Sequence, residues 1–170
     1  MVVYIGGVFE KNTLTGAIRK YHTGLGRTVA FRDVPAGTGQ GTLSSILTDH
    51  LGSTVEVTNA VGTTVSETAY WPYGATRSGG VTQTDQRYTQ QRETVTTMGA
   101  YFYKARFYST AVGRFVSAAW SGDDLNRYTY VRKNPLTFTD PSGLDCETPY
   151  VDLCPDIVAD VVVGVSNYAL

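Results

Sequence analysis

Few side chains in this sequence are of a type that does chemistry, and their spacing limits what they can do. His50 sits in the stretch Thr48-Asp49-His50-Leu51-Gly52-Ser53-Thr54, and no serine, cysteine or second histidine is placed to complete a nucleophilic site with it. It reads as a turn hydrogen-bonding group, and His22 carries even less chemistry. Cys146 and Cys154 flank Tyr150 near the C-terminal end, where a disulfide and two free thiols are both open. Asp145, Glu147 and Asp152 around them make no convincing metal set, so no metal and no cofactor is expected. Gly24-Leu25-Gly26 and Gly37-Thr38-Gly39-Gln40-Gly41 do not lead into helices and are not phosphate cradles. The carboxylate in the most ordered setting is Asp140, in Asp140-Pro141-Ser142-Gly143-Leu144. There proline presets φ, aspartate caps its own backbone and glycine accepts positive φ, so Asp140 reads first as a turn-capping group. Arg114, in Gly113-Arg114-Phe115, reads as an arginine laid across an aromatic-rich sheet.

The elements that must position these groups are concentrated between Gly99 and Leu144. Tyr101, Tyr103 and Phe107 alternate with Phe102, Lys104, Arg106 and Tyr108, a period-2 pattern that predicts a strand with one largely apolar and one amphipathic face. A turn over Ser109 to Gly113 returns the chain into Arg114-Phe115-Val116, and Tyr128-Thr129-Tyr130-Val131 is expected to add the next strand. Asn134-Pro135 and Asp140-Pro141-Ser142-Gly143 close the unit. Tyr101, Tyr103, Phe107, Phe115, Tyr128 and Tyr130 are the expected core, with Asn134, Pro135, Asp140, Pro141 and Gly143 fixing the turns.

These residues resemble the RHS repeat-associated core domain of rearrangement-hot-spot and YD-repeat proteins. The shared pattern is Phe102-Tyr103-Lys104-Ala105-Arg106-Phe107-Tyr108, Gly113-Arg114-Phe115, Asn126-Arg127-Tyr128-Thr129-Tyr130-Val131, Asn134-Pro135 and Asp140-Pro141-Ser142-Gly143-Leu144. Upstream, Asp49-His50-Leu51-Gly52-Ser53 and Tyr70-Trp71-Pro72-Tyr73-Gly74 are similar to further signatures of that family, extending the resemblance over most of residues 1 to 144.

The resemblance implies a curled β-sheet shell. In relatives akin to the C-components of Tc toxins it also implies two Asp-Pro-x-Gly motifs, whose aspartates share a proton and cut the chain after the second motif. Asp140 matches the second aspartate, Leu144 matches the cleavage position, and Arg114 matches a residue that positions the scissile carbonyl. Ala119 stands where the first aspartate belongs, in Ala118-Ala119-Trp120-Ser121-Gly122. A methyl group holds no proton, so efficient self-cleavage is not expected. Asp123 and Asp124 are the nearby carboxylates that would have to replace it, and a solvated turn is the simpler reading of both.

Composition agrees with a sheet protein: apolar residues make up 42%, charged residues only 17%, and glycine and tyrosine are abundant. A net charge of −1 gives no electrostatic footprint for nucleic acid or anionic lipid. The N-terminal MVVYIGGVFEKN lacks the pattern of a signal peptide, and the apolar run near Ile157 to Val165 is too short to span a bilayer.

Along the chain, residues 2 to 9 form a strand that enters a hairpin through Lys11 to Gly16 into Ala17 to Tyr21. A turn over His22 to Gly26 leads to Arg27 to Phe31, a loop over Asp33 to Gly41 to Thr42 to Thr48, and an Asn59 to Gly62 turn joins Val55 to Thr58 with Thr63 to Tyr70. Arg77 to Thr84 reads as a loop and Tyr88 to Glu93 as a short strand or turn. Asp156 to Tyr168 is compatible with helix and strand alike.

The expected architecture is therefore all-β: antiparallel YD/RHS-type hairpins over 1–98, an RHS-associated core over 99–144 and a C-terminal tail over 145–170, together an open, curled strip. At this length the strip is expected to be too short to enclose a cavity, and its unpaired edges call for a partner. The expected function is a non-enzymatic structural module that assembles with its own copies, as an oligomer or extracellular filament, or within a larger RHS shell. One alternative is an aspartyl self-cleaving plug that releases the segment after Leu144. Another is a carbohydrate or cell-surface adhesion module using exposed aromatics such as Trp71 and Trp120. Extracellular or cell-surface placement is implied by the resemblance alone.

Overall fold

The computed structural model describes residues 1–6, 8–94, 100–119 and 126–144. It contains an antiparallel sheet whose eight strands lie side by side in chain order: β1 (Val2–Ile5), β2 (Phe9–Asn12), β3 (Ile18–Gly24), β4 (Arg27–Val34), β5 (Thr42–Thr48), β6 (Thr54–Asn59), β7 (Thr64–Tyr70) and β8 (Thr76–Gly79). Among the described residues the sheet does not close, and β1 and β8 are its two edges. A second sheet has the order β12-β11-β10-β9, built from β9 (Arg92–Glu93), β10 (Ala100–Tyr103), β11 (Arg106–Ser109) and β12 (Arg114–Phe115). This second sheet takes its edge strand β9 from before residue 99.

Turn chemistry written in the sequence closes the hairpins. Asn59 Oδ1 accepts the N–H groups of Val61 at 3.1 Å and Thr63 at 2.9 Å, joining β6 to β7. Asp49 Oδ1 does the same for Leu51 at 2.9 Å and Ser53 at 2.8 Å between β5 and β6. Between β3 and β4 the turn is only Leu25-Gly26, both at positive φ (51° and 75°), as a two-residue primed turn requires. His22, expected in that turn, instead continues β3 opposite Ala30. The Arg77–Thr84 stretch, expected as a loop, begins with β8. The Trp71-to-Gly74 turn returns the chain so that Thr68 pairs with Gly79. All four β8 residues are exposed, so this strand left no apolar alternation to read.

Two apolar clusters form the interior. Tyr21, Phe31, Ile46 and Val57 share one face of β3 to β6 and are covered by Val81, which follows β8. The second cluster contains Tyr88, Tyr101, Tyr103, Tyr108, Phe115, Tyr130 and Val131, with Tyr70, Tyr73 and Phe138 packed against it.

Here the fold departs from the expected single strand over 101–108. Lys104, at φ 55°, and Ala105 break it into the β10–β11 hairpin, with Tyr103 opposite Arg106 and Phe102 opposite Phe107. A two-residue turn inverts the parity of everything after it. Tyr101, Tyr103, Arg106 and Tyr108 therefore point inward, while Phe102 and Phe107 pack against each other on the outer face, tilted by 47° with ring centroids 5.2 Å apart. Phe107, an expected core residue, is 44% exposed, and Tyr128, another, is 43% exposed. The strand expected over 128–131 reduces to a single bridge from Thr129 to Arg114. It is followed by a 3-10 turn over Val131–Lys133, whose three residues all have positive φ. Trp120, Asp123, Asp124, Cys146, Cys154 and the segment 156–168 lie outside the described residues.

Candidate functional site

The candidate site is the Asp140 turn where it docks on the β10–β11 hairpin. Asp140 is 2% exposed. Its Oδ1 accepts the N–H of Gly143 at 2.7 Å and of Leu144 at 3.1 Å, and the Ser142 hydroxyl at 3.2 Å. Its Oδ2 accepts Arg106 Nη2 at 3.3 Å. Arg106 also donates through Nε to the Gly143 carbonyl and through Nη1 to the Arg127 carbonyl at 3.3 Å. Its guanidinium carbon lies 3.5 Å from the centroid of the Phe115 ring. Burial pushes the Arg106 guanidinium below its ordinary pKa, and the facing Asp140 works against that shift.

The turn is pressed close to the hairpin. Ala105 N–H donates to Ser142 O at 3.1 Å, and Gln91 Nε2 donates to Pro141 O at 3.3 Å. Gly143 has φ 75°, and a Cβ there would stand 2.2 Å from the Tyr103 carbonyl oxygen, so both conformation and space demand glycine. Asn134 receives the N–H of Thr137 at 3.3 Å and of Phe138 at 3.1 Å on its carbonyl, and Pro135 beside it is buried. Leu144 is half-exposed.

Ala119 is held next to this arrangement. Its N–H donates at 2.7 Å to the same Arg127 carbonyl that accepts Arg106, and its own carbonyl receives Arg127 Nε at 2.8 Å. One shared carbonyl thus links the Ala119 backbone to the Arg106–Asp140 pair. What Ala119 brings there is a methyl group, which neither holds nor delivers a proton.

Arg114 and Arg106 exchange the roles expected of them. Arg114 lies exposed on β12, opposite Ser109, and lines a surface groove of about 390 Å³ with Tyr73 and Lys133. The arginine across the aromatic layer is Arg106, which sequence reasoning placed on the amphipathic face. The signal for it was the Lys104-Ala105 pair: a turn there brings Arg106 into phase with Tyr101 and Tyr103.

Around the site the tyrosines are bonded as well as packed. The hydroxyls of Tyr88, Tyr108 and Tyr70 donate to the carbonyls of Pro72, Tyr73 and Thr54 at 2.8, 2.9 and 3.1 Å. Tyr103 meets Thr89 Oγ1 at 2.7 Å and the Tyr130 hydroxyl at 3.3 Å. Burial pushes the phenols of Tyr70, Tyr88, Tyr101, Tyr103, Tyr108 and Tyr130 above their ordinary pKa. His50 Nε2 lies 2.9 Å from the Leu136 carbonyl, tying the Asp49 turn of the large sheet to the chain after Pro135, while His22 is exposed. Trp71 is 55% exposed, with the Arg77 guanidinium 5.9 Å from its ring, beside a groove of about 640 Å³. Among the described residues, no cluster of three or more His, Cys, Asp or Glu is arranged to hold a metal ion. Among them, too, no helix is long and apolar enough to cross a membrane.

No family model matches the chain. The toxin subunit YenC2 of Yersinia entomophaga is 36% identical over 91 residues, covering 49% of this chain and 9% of the relative. The toxin subunit YenC1 of the same organism is 32% identical over 100 residues, covering 55% of this chain and 10% of the relative. In three dimensions, 84% of the chain superposes on 8% of a chain of the TcdB2-TccC3-TEV crystal structure with a TM-score of 0.71 and 26% identity. The same share matches 7% of a chain of the Photorhabdus luminescens Tc holotoxin pore, with a TM-score of 0.70 and 27% identity. The chain spans about a tenth of the length of the curated relatives it matches. By sequence and by fold, the chain is similar to Tc toxin subunits, and its antiparallel sheet resembles part of the Tc toxin structures.

Proposed function

We propose that the protein is a non-catalytic structural module of the RHS-shell type, whose open sheet is extended by pairing with its own copies or with a larger RHS shell. The observation that carries this reading is the eight-stranded sheet, which among the described residues has two unclosed edges, one of them an exposed apolar strand. The Asp140 site supports it. Asp140 Oδ1 is taken up by its own turn and Oδ2 faces Arg106, which is how a carboxylate locks a turn to a hairpin. The second proton-binding group that paired-aspartate chemistry needs is replaced by Ala119. Likeness to toxin subunits makes an extracellular complex the setting this reading favours.

Intact-mass measurement of the purified chain after long incubation at acidic and neutral pH tests the non-catalytic half of the proposal. The full-length mass of 18.5 kDa alone is expected. A product ending at Leu144 would show instead that the site cuts its own chain.

A further inference from the structure

The two edges of the large sheet are chemically unlike. β8 is Thr-Arg-Ser-Gly, polar, with Arg77 in it, the usual protection of an edge strand. β1 is Val-Val-Tyr-Ile, with no charge, proline or glycine. Its side chains are 42%, 37%, 53% and 56% exposed in chain order, and among the described residues it is hydrogen-bonded to a strand on one side only, that of β2.

The strand is also fixed in place. The Met1 carbonyl accepts both the N–H and the hydroxyl of Thr13, at 2.9 and 3.0 Å. Arg92, bonded to Glu10 at 2.6 Å and to Asp85 at 2.5 Å, lays its guanidinium 4.1 Å from the Tyr4 ring centroid. A pre-ordered, uncharged apolar edge is a template for one more antiparallel strand.

We infer that β1 is a docking edge and that its occupant is β1 of a second copy of this chain, an inference that rests on the structural reading above. A neutral strand meets itself without repulsion, and such a pair joins two eight-stranded sheets into one. The buried faces of both copies must stay on the same side of the joined sheet. This requires a two-fold axis perpendicular to the sheet, which places a residue opposite its own equivalent. Centring on Val3 sets Val3 against Val3 and Val2 against Tyr4, apolar pairs throughout. Val3 points away from Tyr4 and the Arg92 clamp, so it can be changed without loosening them.

The test is light scattering of the full chain over a wide concentration range. The wild type is expected to reach the mass of two chains. Val3→Lys, which sets two lysines opposite each other, should raise the dissociation constant by about tenfold or more. Mixing Val3→Lys with Val3→Glu should restore the two-chain mass, an outcome that a misfolded variant cannot give. A wild type that keeps the mass of one chain overturns the inference, whether β1 is covered by residues 145–170 or reserved for the strand of a larger shell. Undiminished assembly of Val3→Lys also overturns it, while leaving the structural reading intact through another edge.

Discussion

Arg106 is the residue on which the Asp140 turn hangs. Its guanidinium joins Asp140, the Gly143 carbonyl and the Arg127 carbonyl while covering Phe115, so four parts of the chain meet on one side chain. Removing one member of a buried ion pair leaves the other unpaired away from water, at about 3–5 kcal/mol. Arg106→Ala should therefore lower the urea midpoint sharply. Arg114→Ala, at an exposed site, should stay within about 0.5 kcal/mol of the wild type. Equal effects of the two substitutions would return the structural role to Arg114, where the motif Gly113-Arg114-Phe115 first suggested it. Asp140 was legible as a turn cap because aspartate before Pro-x-Gly has a local meaning. Its partner was not, because a pair 34 residues apart is set by the fold.

Among the elements, the second sheet and its tyrosines form the layer most sensitive to alkali. The phenols of Tyr88, Tyr101, Tyr103, Tyr108 and Tyr130, and of the partly buried Tyr70, are pushed above their ordinary pKa by burial, whereas the unfolded chain releases those protons at about pH 10. The folded state thus holds protons that the unfolded state loses. The stabilisation is complete below about pH 10 and declines as pH rises above it. Tyrosine ionisation followed by ultraviolet absorbance should coincide with loss of the far-ultraviolet dichroism signal. Smooth titration of all twelve tyrosines around the ordinary value with the fold intact would show that the layer is open to solvent. The tyrosine weight of this layer could be read from the sequence, but its parity could not. Period-2 alternation assumes an unbroken strand, and the tight turn at Lys104-Ala105 exchanged the inward and outward sets, exposing Phe107 and burying Arg106. The hairpins of the large sheet were more legible, since Asn59, Asp49 and their glycines mark the turns. β8 escaped notice because its partner β7, and not its own side chains, makes it a strand.

For the whole molecule, the described residues form an open meander with one polar edge, β8, and one apolar edge, β1. Closed barrels need no partner, and strands with charged edges avoid one; β1 does neither. Among the described residues Val81 packs with Tyr21, Phe31, Ile46 and Val57, and no strand lies on the outer side of β1, so the proposed pairing would use the β1 backbone. Hydrogen–deuterium exchange of the full-length chain, compared between dilute and concentrated samples, reads that backbone directly. Slowed exchange across Val2–Ile5 on concentration, with β8 unchanged, is the expected result. Exchange at Val2–Ile5 that stays equally fast at every concentration, with β3 to β6 protected throughout, would contradict the claim that this open sheet is built to be extended.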